Sequence, residues 1–277
     1  MRTEENIKNT VKEKYAQIAE QSKEQNETSC CGATGCGSFT IMSEDYSHLS
    51  GYVADADLGL GCGLPTEYAR IKKGDTVLDL GSGAGNDCFV ARSLVGESGK
   101  VIGVDMTEPM IEKARRNAQQ LGYANVEFRL GEIEDLPLAS NRVDVVVSNC
   151  VLNLIPDKES AFRETYRVLK PGGHFSISDV VLVGELPLGL QKDATMYAGC
   201  VSGAIQKEEY LNIVRQVGFT NIQVQKQRPI TLPDELLANY LSAEEIEQFK
   251  NSGTGIFSVT IYAEKPTSGC TPGSGCC

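Results

Sequence analysis

Two groups of residues in this chain are of types, and in settings, that could do chemistry. The first is residues 77–85, VLDLGSGAG, followed further on by GVDM with Asp105. Glycines at a strand-to-helix turn let backbone approach a ligand closely, and an acid ending the next strand can accept hydrogen bonds from a ribose diol. Together they fit an adenosine-containing ligand. A dinucleotide is the weaker reading, because Asp87 stands where a helix-packing glycine would be expected and no basic residue is at hand for a pyrophosphate. The second group is sulfur. The chain has ten cysteines against two histidines. Cys62 in LGLGCGLP, Cys150 in VSNCVLNL and Cys200 in MYAGCVSGA are far apart, unlike the C-x-x-C pairs of a zinc knuckle, so only folding could bring them together. A small buried hydrophobe is the commoner fate of such a cysteine. Cys62 and Cys200, however, sit among Gly and Ser, where packing explains little.

The elements that must position these groups are legible from residue 75 onward. Short apolar runs alternate with amphipathic spans: TVLDL then NDCFVARSLV, VIGVDM then EPMIEKARRNAQQLG, VEFRL, VDVVVSNCVLNL then DKESAFRETYRVLK, and HFSISDVVL. Strand then helix, repeated, predicts an α/β fold with a doubly wound, mostly parallel sheet. After about residue 184 come a loop with Cys200, a helix over KEEYLNIVRQVG and two strand-like runs, IQVQKQRPI and FSVTIYAEK. This smaller C-terminal α+β region is expected to complete the sheet and roof the site. Ahead of the sheet lie an amphipathic helix within residues 1–25 (Ile7, Val11, Tyr15, Ile18) and two loops, SCCGATGCGS and residues 46–65. The expected divisions are therefore 1–70 for helix and cysteine loops, 71–183 for the ligand-binding sheet and 184–266 for the C-terminal region. Residues 267–277 form a tail of small residues and cysteine that should be disordered unless its thiols are bound. Ligands of open parallel sheets bind beyond the carboxyl ends of the strands, which puts Cys150 near the ligand of the glycine loop.

Roughly residues 72–182 resemble the class I S-adenosylmethionine methyltransferases, whose Rossmann-like fold carries the same ordered elements. These are an acidic strand residue and glycine loop (Asp79, Gly81, Ser82, Gly83), a ribose acid (Asp105, with Met106 beside it) and, in GEIEDLPL, Glu132 and Ile133 on the adenine side. The resemblance implies S-adenosylmethionine as the cofactor held by these residues, with Asn149 as a further candidate. Ordinary strand-to-helix turns are the alternative, and three elements in the right order weigh against it.

If the three separated cysteines converge, thiolates around a soft p-block ion such as trivalent arsenic make a pyramid with a lone pair at its apex. That lone pair can attack a methyl group in line. No general base is needed, and holding the partners at near-attack distance supplies much of the rate. In order, DLGLGCG, GSGAGNDCFVA, GVDMT, VVSNCVLNLIPDK, YRVLKPGG and GCVSGA are similar to the arsenite methyltransferase family, across nearly the whole chain before the tail. The similarity implies Cys62, Cys150 and Cys200 as the arsenic-binding, catalytic thiols. It also implies a fourth, N-terminal cysteine that cycles through a disulfide, matched by Cys31 or by its neighbour Cys30. Arsenite and methylarsenite would be the substrates, methyl- and dimethylarsenicals the products, detoxification the role, and thioredoxin or glutathione the reductant.

A net charge of -11 and a pI of about 4.8 repel phosphate backbones and anionic lipid, so neither nucleic acid nor membrane is expected as a partner. The start of the chain lacks an apolar signal core, which predicts a cytoplasmic protein whose thiols stay reduced. Two other functions stay open at this level: a methyltransferase of a small organic acceptor with incidental cysteines, and a non-enzymatic, thiol-rich metalloid-binding protein. The second leaves the glycine loop and Asp105 without a purpose. Cys88 reads as packing, and His48 and His174 have no partner at metal spacing. Asn149 and Asn153 flank Cys150 and either line the site or merely end a strand. In the tail, Cys270, Cys276 and Cys277 either capture arsenic and pass it inward or are dispensable.

Overall fold

The computed structural model describes residues 4–21, 23, 25, 26, 44–187, 190 and 203–267. Five strands run parallel: β1 (Thr76–Leu80), β2 (Lys100–Asp105), β3 (Val126–Leu130), β4 (Val143–Asn149) and β5 (Leu169–Val183). Two more, β6 (Thr220–Pro229) and β7 (Gly255–Glu264), complete the sheet, with β7 antiparallel to both β5 and β6. Among the described residues the order is β3-β2-β1-β4-β5-β7-β6. This is the doubly wound, mostly parallel α/β sheet that the alternation predicts. The late strand β7 inserts between β5 and β6, an order that hydrophobic pattern does not encode.

The central strands are continuous apolar runs because both of their faces are covered. Val77, Leu78 and Leu80 of β1 and Val145, Val146 and Val147 of β4 are fully buried. One face packs under α3 (Asn86–Val95) and α4 (Glu108–Gln120), where Phe89, Met110 and Phe128 meet. The helix α1 (Glu4–Ala19) adds Ile18 to this cluster, and the Lys113 ammonium caps the carbonyl of Ala19. The other face packs under α5 (Lys158–Val168) and α6 (Lys207–Val217), with Phe162, Phe175, Tyr210 and Phe219 at its centre. Asp157 caps α5 by accepting from the Ser160 N–H. Three shorter helices, α2 (Pro65–Tyr68), α7 (Asp234–Leu237) and α8 (Ala243–Asn251), fall where the sequence suggests loops or gives no periodic signal. Pro65 starts α2 at a position where its missing N–H is no loss. Ser242 and Glu245 close a reciprocal capping box at the start of α8.

The chain winds from β1 outward to β3 and then returns to β4 on the other side of β1. Such a reversal opens a crevice at the carboxyl ends of the two neighbouring strands. The glycine loop leaves β1 there, and Cys150 leaves β4 there.

Candidate active site

The turn after β1 is built from backbone that a side chain would obstruct. Gly81 has φ +67, and a Cβ placed on it would lie 2.5 Å from a Val151 methyl. Its N–H and that of Ser82 both donate to the Val104 carbonyl, at 2.8 and 3.0 Å. The Gly83 N–H donates to one oxygen of Asp105 at 3.0 Å, and the Thr107 N–H donates to the other at 2.8 Å. Asp105 is thereby fixed at the end of β2, facing the glycine loop.

Asp79 and Asp87 border the same pocket. Asp79 is 2% exposed and accepts from the Cys88 thiol at 3.3 Å. Asp87, in the first turn of α3, accepts from the Tyr46 hydroxyl at 2.9 Å. Burial drives all three carboxyls above their ordinary range. Asp79 goes well above it, helped by the charges of Asp87 and Asp105. Asp87 is pushed up to about 6 by burial, against hydrogen bonds from Tyr46 and Asn149 that pull it down. Asp105 is raised by burial despite the two backbone donors. Among the described residues, no lysine or arginine lines the pocket. Buried carboxylates without a cationic side chain are complementary to a cation. Asp79, Gly81, Ser82, Gly83, Asp105, Met106, Glu132, Ile133 and Asn149, the positions that sequence puts on the donor side, all border this one pocket. Val11 and Tyr15 of α1 border it too, and Lys8 ties that helix to Glu132 at 2.8 Å and Glu134 at 2.9 Å.

The sulfur side adjoins it. Cys150 borders the same pocket, is 3% exposed and has φ +62, a left-handed conformation unusual for a residue with a Cβ. Its N–H donates to the Ser178 carbonyl at 2.8 Å. Cys62 is fully buried, and its N–H donates to the Asn149 side-chain oxygen at 3.0 Å. Both cysteines belong to one apolar cluster with Val180, Leu186, Ile230 and Ile256. Behind them the Tyr210 hydroxyl donates to Asp179 at 3.1 Å. Burial lifts Asp179 to about 7, while the tyrosine is raised by burial, by Asp179 and by the neighbouring Cys62 and Cys150.

Known proteins resemble this chain over most of its length. A family model described as a methyltransferase domain fits residues 71–218. The arsenite methyltransferase of Halobacterium salinarum is 42% identical over 282 residues, which span 96% of this chain and 68% of that one. The chain belongs to the arsenite methyltransferase family. The family member of Aquipseudomonas alcaligenes is 38% identical over 84% of this chain and 67% of its own, and that of Homo sapiens 32% identical over 90% and 69%. Among solved structures, an arsenic (III) S-adenosylmethionine methyltransferase from Chlamydomonas reinhardtii superimposes with a TM-score of 0.62 at 36% identity, over 74% of this chain and 68% of that one.

In this arsenite methyltransferase family member the structure brings Cys150 to the border of the pocket and Cys62 into the same apolar cluster as Cys150. Cys200, Cys30, Cys31 and the tail cysteines Cys270, Cys276 and Cys277 lie outside the described residues. Among the described residues, no group of three or more His, Cys, Asp or Glu is set to hold a metal ion, and no helix is long and apolar enough to cross a membrane. Cys88 is buried in α3 and also bonds Asp79. His174 contacts the Ala69 carbonyl at 2.6 Å, and His48 sits on the surface near Glu67. Sequence reasoning missed Tyr46 and Asp87 as site residues. Asp87 left a signal, an acid in place of the glycine that a dinucleotide fold would use; Tyr46 left none.

Proposed function

We propose that the enzyme transfers methyl groups from S-adenosylmethionine to trivalent arsenic held by Cys62, Cys150 and Cys200. One observation carries this reading: Cys150 borders the same pocket as Asp79, Gly81 and Asp105, and the residue before it binds the Cys62 loop. S-adenosylmethionine supplies an electrophilic methyl group on a sulfonium sulfur and also bears an ammonium group. The pocket suits such a cation through Asp79, Asp87 and Asp105. Asp105 is placed to accept from the ribose hydroxyls, the backbone of Gly81, Ser82 and Gly83 to lie against the ligand, and Met106, Glu132 and Ile133 to line the adenine side. Asn149 stands at the border between donor and sulfur sides.

On the acceptor side, exchange of the three hydroxyls of arsenite for three thiols releases three waters and leaves an arsenic lone pair. The arsenic then carries no proton, so no side chain has to remove one. The apolar cluster around Cys62 and Cys150 keeps water from the thiolates, and the chain's contribution is to hold arsenic in line with the methyl group. Methylarsenite fits the same thiols as a substrate for a further round. Methyl transfer releases S-adenosylhomocysteine and takes arsenic to the pentavalent state. Two thiolates closing into a disulfide that includes Cys31 or Cys30 would supply the two electrons that return it to the trivalent state. Thioredoxin or glutathione would then reduce that disulfide. A cytoplasmic setting, where thiols stay reduced, suits this chemistry.

The test is incubation with labelled S-adenosylmethionine, arsenite and a thiol, followed by separation of arsenic species. Methylated arsenic should form, and Cys150→Ser should abolish it while S-adenosylhomocysteine still binds. Absence of methylarsenicals, with methylation of a quinone or phenol that survives Cys150→Ser, would point to an organic acceptor instead.

A further inference from the structure

The amide of Asn149 has all of its hydrogen-bonding capacity engaged between the two cysteines. Its Oδ1 accepts from the N–H groups of Cys62, at 3.0 Å, and Gly63, at 3.2 Å. Its Nδ2 donates to the Gly63 carbonyl at 2.8 Å and to the Tyr46 hydroxyl. Tyr46 in turn donates to Asp87, and Asp87 also lies 3.3 Å from Nδ2. Two acceptor sites and two donor hydrogens are what a side-chain amide offers, and all four find partners within the protein.

The loop that carries Cys62 is pressed flat against this amide. A Cβ on Gly61 would lie 2.6 Å from Asn149 Nδ2, and one on Gly63 would lie 2.5 Å from the Ser178 hydroxyl. In the run Gly61-Cys62-Gly63, then, only the middle residue has room for a side chain. Ser178, against which Gly63 packs, holds the other cysteine, since its carbonyl accepts from the Cys150 N–H. The Cys62 carbonyl is pinned from a third direction by the Ser258 hydroxyl at 2.6 Å. Cys62 is thus held by the side chain of the residue that directly precedes Cys150 in the chain.

We infer that Asn149 is a positioning residue for the acceptor: it fixes the Cys62 backbone relative to Cys150 and so sets the spacing of two arsenic-binding sulfurs, with Tyr46 locking the amide in place. The inference rests on the reading of Cys62 and Cys150 as arsenic ligands. Alanine at 149 removes the acceptor that the Cys62 and Gly63 N–H groups share and one of the two donors to the Gly63 carbonyl, which keeps the Tyr46 hydroxyl at 3.0 Å, so the loop shifts and the sulfurs separate. Tyr46→Phe removes one partner of the amide and loosens it less.

The experiment measures two affinities on the intact, reduced protein: arsenite alone, by arsenic retained after gel filtration, and S-adenosylhomocysteine alone, by calorimetry. For Asn149→Ala, arsenite affinity should fall at least tenfold more than S-adenosylhomocysteine affinity. In turnover, KM for arsenite should rise by more than kcat falls. Tyr46→Phe should show the same imbalance at about threefold, and it decides the matter if Asn149→Ala fails to fold. Loss confined to S-adenosylhomocysteine affinity, or arsenite affinity equal to wild type in a variant that folds, would overturn the assignment. Cys150→Ser separates this failure from failure of the underlying reading: if it too binds arsenite as wild type does, the arsenic ligands are misassigned.

Discussion

Asp87→Asn should stabilise the ligand-free protein at neutral pH and weaken its hold on the donor. Asp87 is 8% exposed, and burial lifts its carboxyl from 3.8 to about 6, with Asp57 and Asp79 as like-charged neighbours. A folded-state value above the unfolded one means that the fold binds the proton more tightly, so stability falls as pH rises from about 4 through about 6. Above that range the full difference applies, about 3 kcal/mol. The asparagine removes that cost but gives up part of the hydrogen bonding from Tyr46 and Asn149, about 1 kcal/mol. The net gain at pH 7.5 is about 2 kcal/mol, or about 3–4 °C in midpoint for a protein of this size. At pH 5, where the wild-type carboxyl is already mostly protonated in the fold, the gain should shrink to about 0.5 kcal/mol. Thermal melts at the two pH values, with and without saturating S-adenosylmethionine, read this directly. In the ligand's presence the advantage should narrow or reverse, because the charge that strains the empty pocket attracts a bound cation. A lower midpoint for Asp87→Asn at pH 7.5, or a gain of equal size at both pH values, would refute the reasoning.

Other perturbations test the remaining walls of the site. Gly81→Ala combines a left-handed backbone with a clash against Val151, and should cost about 2–4 kcal/mol in urea unfolding as well as abolishing donor binding. Asp105→Ala removes the acceptor of the Gly83 and Thr107 N–H groups and a charged partner for a ribose diol. Calorimetry should show S-adenosylhomocysteine affinity reduced by about 2–3 kcal/mol, or about 30- to 150-fold.

Much of the frame could be read from residues alone, because it is written in local pattern. TVLDL, VEFRL and NDCFVARSLV coincide with β1, β3 and α3, and the glycine loop lies between strand and helix as its composition requires. What could not be read depends on residues meeting across the fold. The place of β7 between β5 and β6 is set by which faces need covering, not by the run FSVTIYAEK itself. Helix α1 has weak amphipathic spacing, and only its packing shows that Val11 and Tyr15 wall the donor pocket. Asn149 is a polar strand end in sequence; its partners Cys62, Gly63 and Tyr46 are separated from it by most of the first half of the chain.

The corner at Cys150 sets backbone conformation against side-chain burial. An L-residue held at φ +62 is worse off than glycine by about 1–2 kcal/mol in backbone conformation. Cys150→Gly should relieve that strain but vacate the side chain's place beside Val180 and Ile256, a loss of about the same size, so its melting temperature should stay close to that of the wild type. Selection for heat resistance alone would therefore exert little pull on this corner in either direction.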